Sequence, residues 1–294
     1  MNKPRSFRYR VVDVFTDQPL EGNALAVFPA ASGIDEGTMQ KIARELNLSE
    51  STFVLPSTRN DCAASVRIFA PLRELPFAGH PTIGTAFVLT DEGLVNNRER
   101  FILEEEVGPV PVRMEKGERP LIWLRTPPTS EGEIFDRPIC ARVLGLNASD
   151  LLPIAPQILS AGNPTLFIAL KDKDAVDRAG LDSHGAAVLR AGHGEPMCVF
   201  VFSPAVDGAY SRMFAPDYGI AEDPATGSST GPLAVFMMRH GLMPSAAGTR
   251  FISEQGNKMG RRSILHVHVF GEQGAGGIDV GGYVTPIAQG TMTL

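Results

Sequence analysis

A chain of 294 residues with 43% hydrophobic side chains can bury a large core, and two domains are the natural expectation at this length. A formal net charge of −6, with Lys and Arg scattered, excludes the basic footprint that nucleic acid or an anionic membrane surface requires. Three well-separated cysteines (Cys62, Cys140 and Cys198), an opening without the apolar run of a secretory signal and no bilayer-length apolar stretch predict a cytoplasmic protein with reduced thiols.

In chain order, Phe7, Tyr9 and Val11 alternate with Arg8 and Arg10, which predicts a strand. GNALAVFPA (22–30) reads as a turn and then a strand. Met39, Ile42, Ala43 and Leu46 fall on one helical face, with Asp35 as the candidate N-cap. SESTFVL (49–55) and SVRIFAP (65–71) are further strands. An apolar helix from Thr82 is expected to stop near Gly93. Glu104, Glu105 and Glu106 read as solvated charge. Thr126-Pro127-Pro128-Thr129 is a turn cluster and the expected domain boundary. Farther on, SRMFAP is a strand, and a second apolar helix from about Ser229 ends at Gly241, a C′ glycine. Residues 263–270 alternate as a strand, 271–277 turn, and 278–294 form a last strand.

The chain also resembles itself. Arg67-Ile68-Phe69-Ala70-Pro71 recurs as Arg212-Met213-Phe214-Ala215-Pro216, and Gly22-Asn23 recurs as Gly162-Asn163, in the same order and at nearly the same separation. Each RxFAP copy precedes a Gly-rich turn that opens an apolar helix. These features predict an α+β fold of two pseudo-symmetric domains, each a barrel-like curved sheet around one central helix. The N-terminal lobe is expected to span residues 1–126, with the last strand, about 283–294, returning to it. The C-terminal lobe takes 127–282.

The two Gly-rich turns are the candidate chemistry. Helix starts carry unpaired N–H groups and attract anions. Gly79 and Gly227 allow close backbone approach, and Ser228 can cap its helix or donate to a ligand. His80, inside GHP, suits a ligand or a proton-transfer role as well as a structural one. Asp223 either closes an Asx turn or orients His80 or a substrate across the cleft. Glu50, between Leu48 and Phe53, is either a solvated loop residue or a partly desolvated acid–base group. His266 and His268 share a strand face, which reads as exposed polar surface in the absence of a nearby third metal ligand. No nucleotide, dinucleotide or zinc-protease motif occurs.

EGNALAVF (21–28), NLSESTFV (47–54), RIFAPLRELPFAGHPTIGTA (67–86), SRMFAPDYGIAEDPATGSSTGPLA (211–234) and QGNKMGRRS (255–263) resemble the phenazine-biosynthesis PhzF family, which shares the fold of diaminopimelate epimerase and proline racemase. The resemblance implies a homodimer, no metal and no organic cofactor, and a small carboxylate substrate. It places the family's catalytic glutamate on Glu50, its GHP histidine on His80 and its aspartate on Asp223. Ser49, Gly79, Gly227 and Ser228 fall on substrate-contacting positions. The thiol pair of the related epimerases is missing from both turns. A proton-shifting isomerase is therefore expected, acting on trans-2,3-dihydro-3-hydroxyanthranilate or an analogue. The alternatives are an epimerase or racemase of an amino or hydroxy acid, and a non-catalytic binding protein of the same fold.

Overall fold

The computed structural model describes residues 5–95, 99–191 and 193–294. The first half runs β1 (Ser6–Val14), β2 (Asn23–Phe28), α1 (Glu36–Leu46), β3 (Glu50–Leu55), β4 (Ala64–Phe69), β5 (Glu74–Leu75), α2 (Gly79–Asp91), β6 (Arg100–Glu105), β7 (Gly108–Glu115) and β8 (Leu121–Arg125). The second half runs β9 (Ser130–Ile134), α3 (Arg137–Val143), β10 (Gln157–Ser160), β11 (Pro164–Ala169), α4 (Lys173–Arg178), α5 (Ser183–Ala191), β12 (Cys198–Ala205), β13 (Gly208–Ala215), β14 (Ile220–Asp223), α6 (Gly227–Arg239), β15 (Arg250–Gln255), β16 (Ser263–Val269) and β17 (Ile278–Gly282). Then β18 (Val284–Thr293) closes the chain.

One ladder pattern occurs twice. β2 is parallel to β3, β3 antiparallel to β4, and β4 antiparallel to β5 and parallel to β6, from which β7 and β8 follow antiparallel. β11 to β17 repeat that sequence of pairings strand for strand. β8 and β17, the last strand of each series, pair with each other and join the halves into one sheet. β18 returns to β1, and β9 pairs with β10 in the corresponding place.

Why α2 and α6 lie at the centre follows from their composition. Both are apolar nearly all round, and such a helix has no face for water. Ile83, Ala86, Val88 and Leu89 of α2 and Leu233, Ala234, Phe236 and Met237 of α6 belong to one buried cluster shared by both halves. The amphipathic α1 covers the outer face of β2–β4 through Met39, Ile42 and Ala43, against Phe28, Phe53 and Phe69. Asp35 caps it as expected, accepting from Thr38 N at 3.1 Å. α3, α4 and α5 do the same for the second half, over Leu166, Ile168, Val199 and Val201. The duplicated RxFAP arginines also match. Arg67 forms a two-bonded ion pair with Glu74, and Arg212 forms one with Glu222.

Several expectations fail in detail. The central helices begin at Gly79 and Gly227, not at Thr82 and Ser229. Their N-caps are Ala78 and Thr226, neither with a side-chain cap bond, so Ser228 sits inside its helix and does not cap it. Gly241 takes the left-handed conformation expected of a C′ residue. The last strand is two, β17 and β18. Glu105 is 5% exposed, so the acidic run is solvated only in part. Among the described residues, no helix is long and apolar enough to cross a membrane.

Candidate active site

The N-termini of α2 and α6 meet head to head. A Cβ on Gly79 would fall 2.5 Å from Gly227 backbone atoms and 2.7 Å from Ser228 N, so only glycine permits this approach. Two positive helix ends facing one point make a strong attractor for an anionic group. Each end is tied down from the opposite half by the asparagine of its GN motif. Asn23 Nδ2 donates to Ala225 O at 3.0 Å, and Asn163 Nδ2 donates to Phe77 O at 2.6 Å. Ala225 and Phe77 stand at the same place ahead of their helices. The Gly22–Asn23 turn is held in turn by Arg261, which donates to Gly22 O, Glu21 O and Asp13 Oδ1.

Glu50 opens β3 and is buried at 7% exposure, which corrects its reading as a solvated loop residue. Burial, and then the charge of Asp223, hold its carboxyl well above the usual carboxylate range. His80, the second residue of α2, is buried beside it, and burial pushes its imidazole down to about 3, so it is neutral at ordinary pH. His80 Nε2 and Glu50 Oε2 lie 3.1 Å apart but off the line that a hydrogen bond needs. Both atoms are buried without another hydrogen-bond partner.

Asp223, at the end of β14, does not touch His80 directly. Asn23 links them: its Nδ2 donates to Asp223 Oδ1 at 2.7 Å and lies 3.1 Å from His80 Nδ1. An amide nitrogen cannot accept, so this network leaves His80 Nδ1 bare and puts the ring proton on Nε2, towards Glu50. Burial raises the Asp223 carboxyl, while bonds from Thr226, Ser49 and Asn23 pull it partly back. Thr226 Oγ1 donates to Asp223 Oδ2 at 2.6 Å, and Gln255 Nε2 donates to the Asp223 carbonyl at 2.7 Å.

Glu50, Gly79, His80, Asp223, Gly227 and Ser228 all line one small enclosed cavity. Ser49 is not among the cavity's lining residues and bonds to the Asp223 carboxyl. The same cavity is lined by Leu75, Met213, Tyr218, Ile220 and Cys198. The free volume is about 30 Å³, the room of about one water molecule. His266 and His268 stand away from this site, against Trp123 and, respectively, Tyr283 and Phe270.

Sequence reasoning missed Asn23, Thr226, Gln255 and Cys198 as parts of the site. Asn23 had a signal, since it belongs to the duplicated GN motif, and Gln255 opens one of the family-like blocks. Thr226 was within the ATGS turn without being singled out.

Residues 12–290 match the PhzC-PhzF family, described as phenazine biosynthesis-like protein. The chain belongs to that family. A trans-2,3-dihydro-3-hydroxyanthranilate isomerase of Pseudomonas aeruginosa is 36% identical to this PhzF-family chain, covering 98% of it and 99% of the relative. The solved structure of a predicted epimerase from Pseudomonas aeruginosa superposes with a TM-score of 0.84 at 32% identity, over 97% of this chain and 99% of that one. A hydroxyproline epimerase from Agrobacterium vitis shares the fold alone, with a TM-score of 0.70 at 14% identity, over 100% of this chain and 94% of that one. The PhzF-family chain is thus an isomerase on an epimerase-like scaffold.

Proposed function

We propose that this chain moves a proton and double bonds within trans-2,3-dihydro-3-hydroxyanthranilate or a close analogue, with Glu50 as the acid–base group. One observation carries the reading: a buried carboxyl of raised pKa, with a free oxygen, faces an enclosed cavity between two helix N-termini. The N–H groups around Gly79 and Gly227, with Ser228, hold the substrate carboxylate. Glu50 takes a proton from an activated carbon and returns it to another carbon on the same face. The reaction is an isomerisation, so atoms and electrons stay within the substrate. His80 donates from Nε2, and Asp223 engages an amino or hydroxyl group while anchoring Asn23. The relatives' names supply the substrate class.

A cavity with room for about one water cannot admit such a molecule, so the halves separate to load it and close around it. The moving units are residues 1–126 with about 283–294, and 127–282. The protein works as a cytoplasmic homodimer.

Turnover of trans-2,3-dihydro-3-hydroxyanthranilate in deuterium oxide tests the reading. The expected result is a changed ultraviolet spectrum together with deuterium at the carbon that receives the proton, both lost in Glu50→Gln. Label at one carbon with an unchanged spectrum would instead mean stereoinversion. Tight binding with no exchange at all would mean a binding protein.

A further inference from the structure

Glu50 and Cys198 occupy the same place in the duplicated scaffold. In the parallel pair β2–β3, Glu50 lies opposite Leu25, two residues after Asn23. In β11–β12, Cys198 lies opposite Thr165, two residues after Asn163. The next residues agree: Ser51 pairs with Phe69 and Val199 with Phe214, the phenylalanines of the two RxFAP copies. Each side chain is the first of its strand, and both line the one enclosed cavity. That this cavity receives a ligand is indicated independently by Glu50 Oε2 and His80 Nε2, buried there 3.1 Å apart without an aligned hydrogen bond to each other or to another group among the described residues.

We propose that Cys198 is the substrate's contact on the side opposite Glu50, a specificity-determining residue that keeps proton exchange on the Glu50 side alone. This rests on the isomerase reading above. The physical case is one of contrast at matched positions. Burial and the charges of Asp223, Glu50 and Asp217 hold the thiol protonated, so it takes no proton from a substrate at neutral pH. Met213, Tyr218 and Ile220, also from the second half, line the same cavity. A second carboxyl at this position would place another buried acid across the cavity from Glu50 and offer a second base. A neutral, polarisable sulfur offers neither and packs against a flat unsaturated ring.

The experiment compares wild type, Cys198→Val, Cys198→Ser and Cys62→Val with trans-2,3-dihydro-3-hydroxyanthranilate, following KM, kcat and melting temperature. One added methylene in a fitted pocket costs about tenfold in discrimination or more. Cys198→Val is therefore expected to raise KM about tenfold with kcat within about threefold, Cys198→Ser to raise KM by less because it loses the polarisable sulfur without adding bulk, and Cys62→Val, away from the cavity, to stay within about threefold of wild type. If valine prevents folding, Cys198→Ala takes its place, and loss of the sulfur raises KM. Unchanged KM and kcat in the folded variant overturn the proposal. A wild type that does not turn the compound over refutes the isomerase reading. The contact is then read from binding of 3-hydroxyanthranilate, which Cys198→Val weakens and which an unchanged affinity again overturns. A wild type that neither turns over nor binds removes the reading and the proposal with it.

Discussion

The two halves of the cleft are built alike and armed differently. Both place a glycine at the start of a central helix and an asparagine across to the opposite helix start. At the position where the first half carries Glu50, the second carries Cys198. Where the first has His80 after its glycine, the second has Ser228. Backbone geometry and anion-holding helix ends are therefore inherited by both sides, whereas titrating groups are not. Such a cleft suits a proton that leaves and returns on one side. A centre to be inverted would need matched groups on both.

The largest expected effect breaks that asymmetry at its source. Glu50→Gln keeps shape and removes the proposed base, and kcat should fall by about 10²–10⁴-fold. Asp223→Asn should cost at least about tenfold less, because Asp223 acts largely through Asn23 and Thr226. Steady-state kinetics on both variants checks the ranking. Equal losses would mean that the second half shares the proton chemistry.

Next come the glycines. Gly79→Ala drives a methyl group into the backbone of Gly227 and Ser228, whereas Gly227→Ala meets the Phe15 ring at 2.9 Å and Gly79 Cα at 3.0 Å. The Gly79 methyl meets backbone at 2.5 Å, whereas the Gly227 methyl meets backbone only at 3.0 Å and its nearest neighbour is the far end of a ring, which can give. Gly79→Ala should lose about 1–3 kcal/mol in chemical denaturation, and Gly227→Ala less.

How much of this was legible follows physical lines. The duplication could be read because RxFAP and GN carry fixed jobs, an ion pair across a hairpin and a turn with Gly22 at φ 66°. α1 could be read because one face is wet and the stripe shows. The starts of α2 and α6 could not, because glycine looks like a turn until another helix is seen pressing on it. Cross-cleft partners such as Asn23 with Asp223, or Cys198 with Glu50, lie far apart in sequence, and no local pattern encodes them. Glu105 was readable and missed: period-2 alternation along β6 puts it on the face of buried Leu103.

The asparagines give a smaller, sharper contrast. Asn23→Ala removes the donor from Asp223 Oδ1 as well as from Ala225 O, and frees the neighbour of His80 Nδ1. Asn163→Ala strands only the Phe77 carbonyl. Losses of about 2–3 and about 1 kcal/mol are expected, with kcat affected chiefly in the first. Equal effects on kcat would show that Asn23 acts as a clasp and no more.

The last contrast, which shows in a pH slope and not in turnover, concerns Glu105 and Gln255, which end the matched strands β6 and β15. Ser65 pairs with Glu104 and Tyr210 with Glu254, so the next residue in each strand is the counterpart of the other. Thr82 Oγ1 lies 2.7 Å from Ala78 O and 2.6 Å from Glu105 Oε1, but it has one proton to donate. Both contacts are satisfied when Thr82 donates to the carbonyl and a protonated Glu105 donates to Thr82. Burial pushes the Glu105 carboxyl up to about 8, with the Thr82 bond opposing. Glu104 is occupied with Ser57 and Thr58, Glu74 with Arg67, and His80 faces the cavity, so no charged partner faces Glu105 from these elements. The folded state keeps a proton that the unfolded chain releases near 4.5. Stability present below that pH is therefore lost as pH rises towards about 8, at up to about 1.4 kcal/mol per unit. Glu105→Gln installs the amide that the second half already uses, and denaturation at about pH 5.5 and about pH 7, both between the unfolded and folded values, should show a slope shallower by about one proton. An unchanged slope would mean that Glu105 is ionised in place and that the two halves differ here as they do at Glu50.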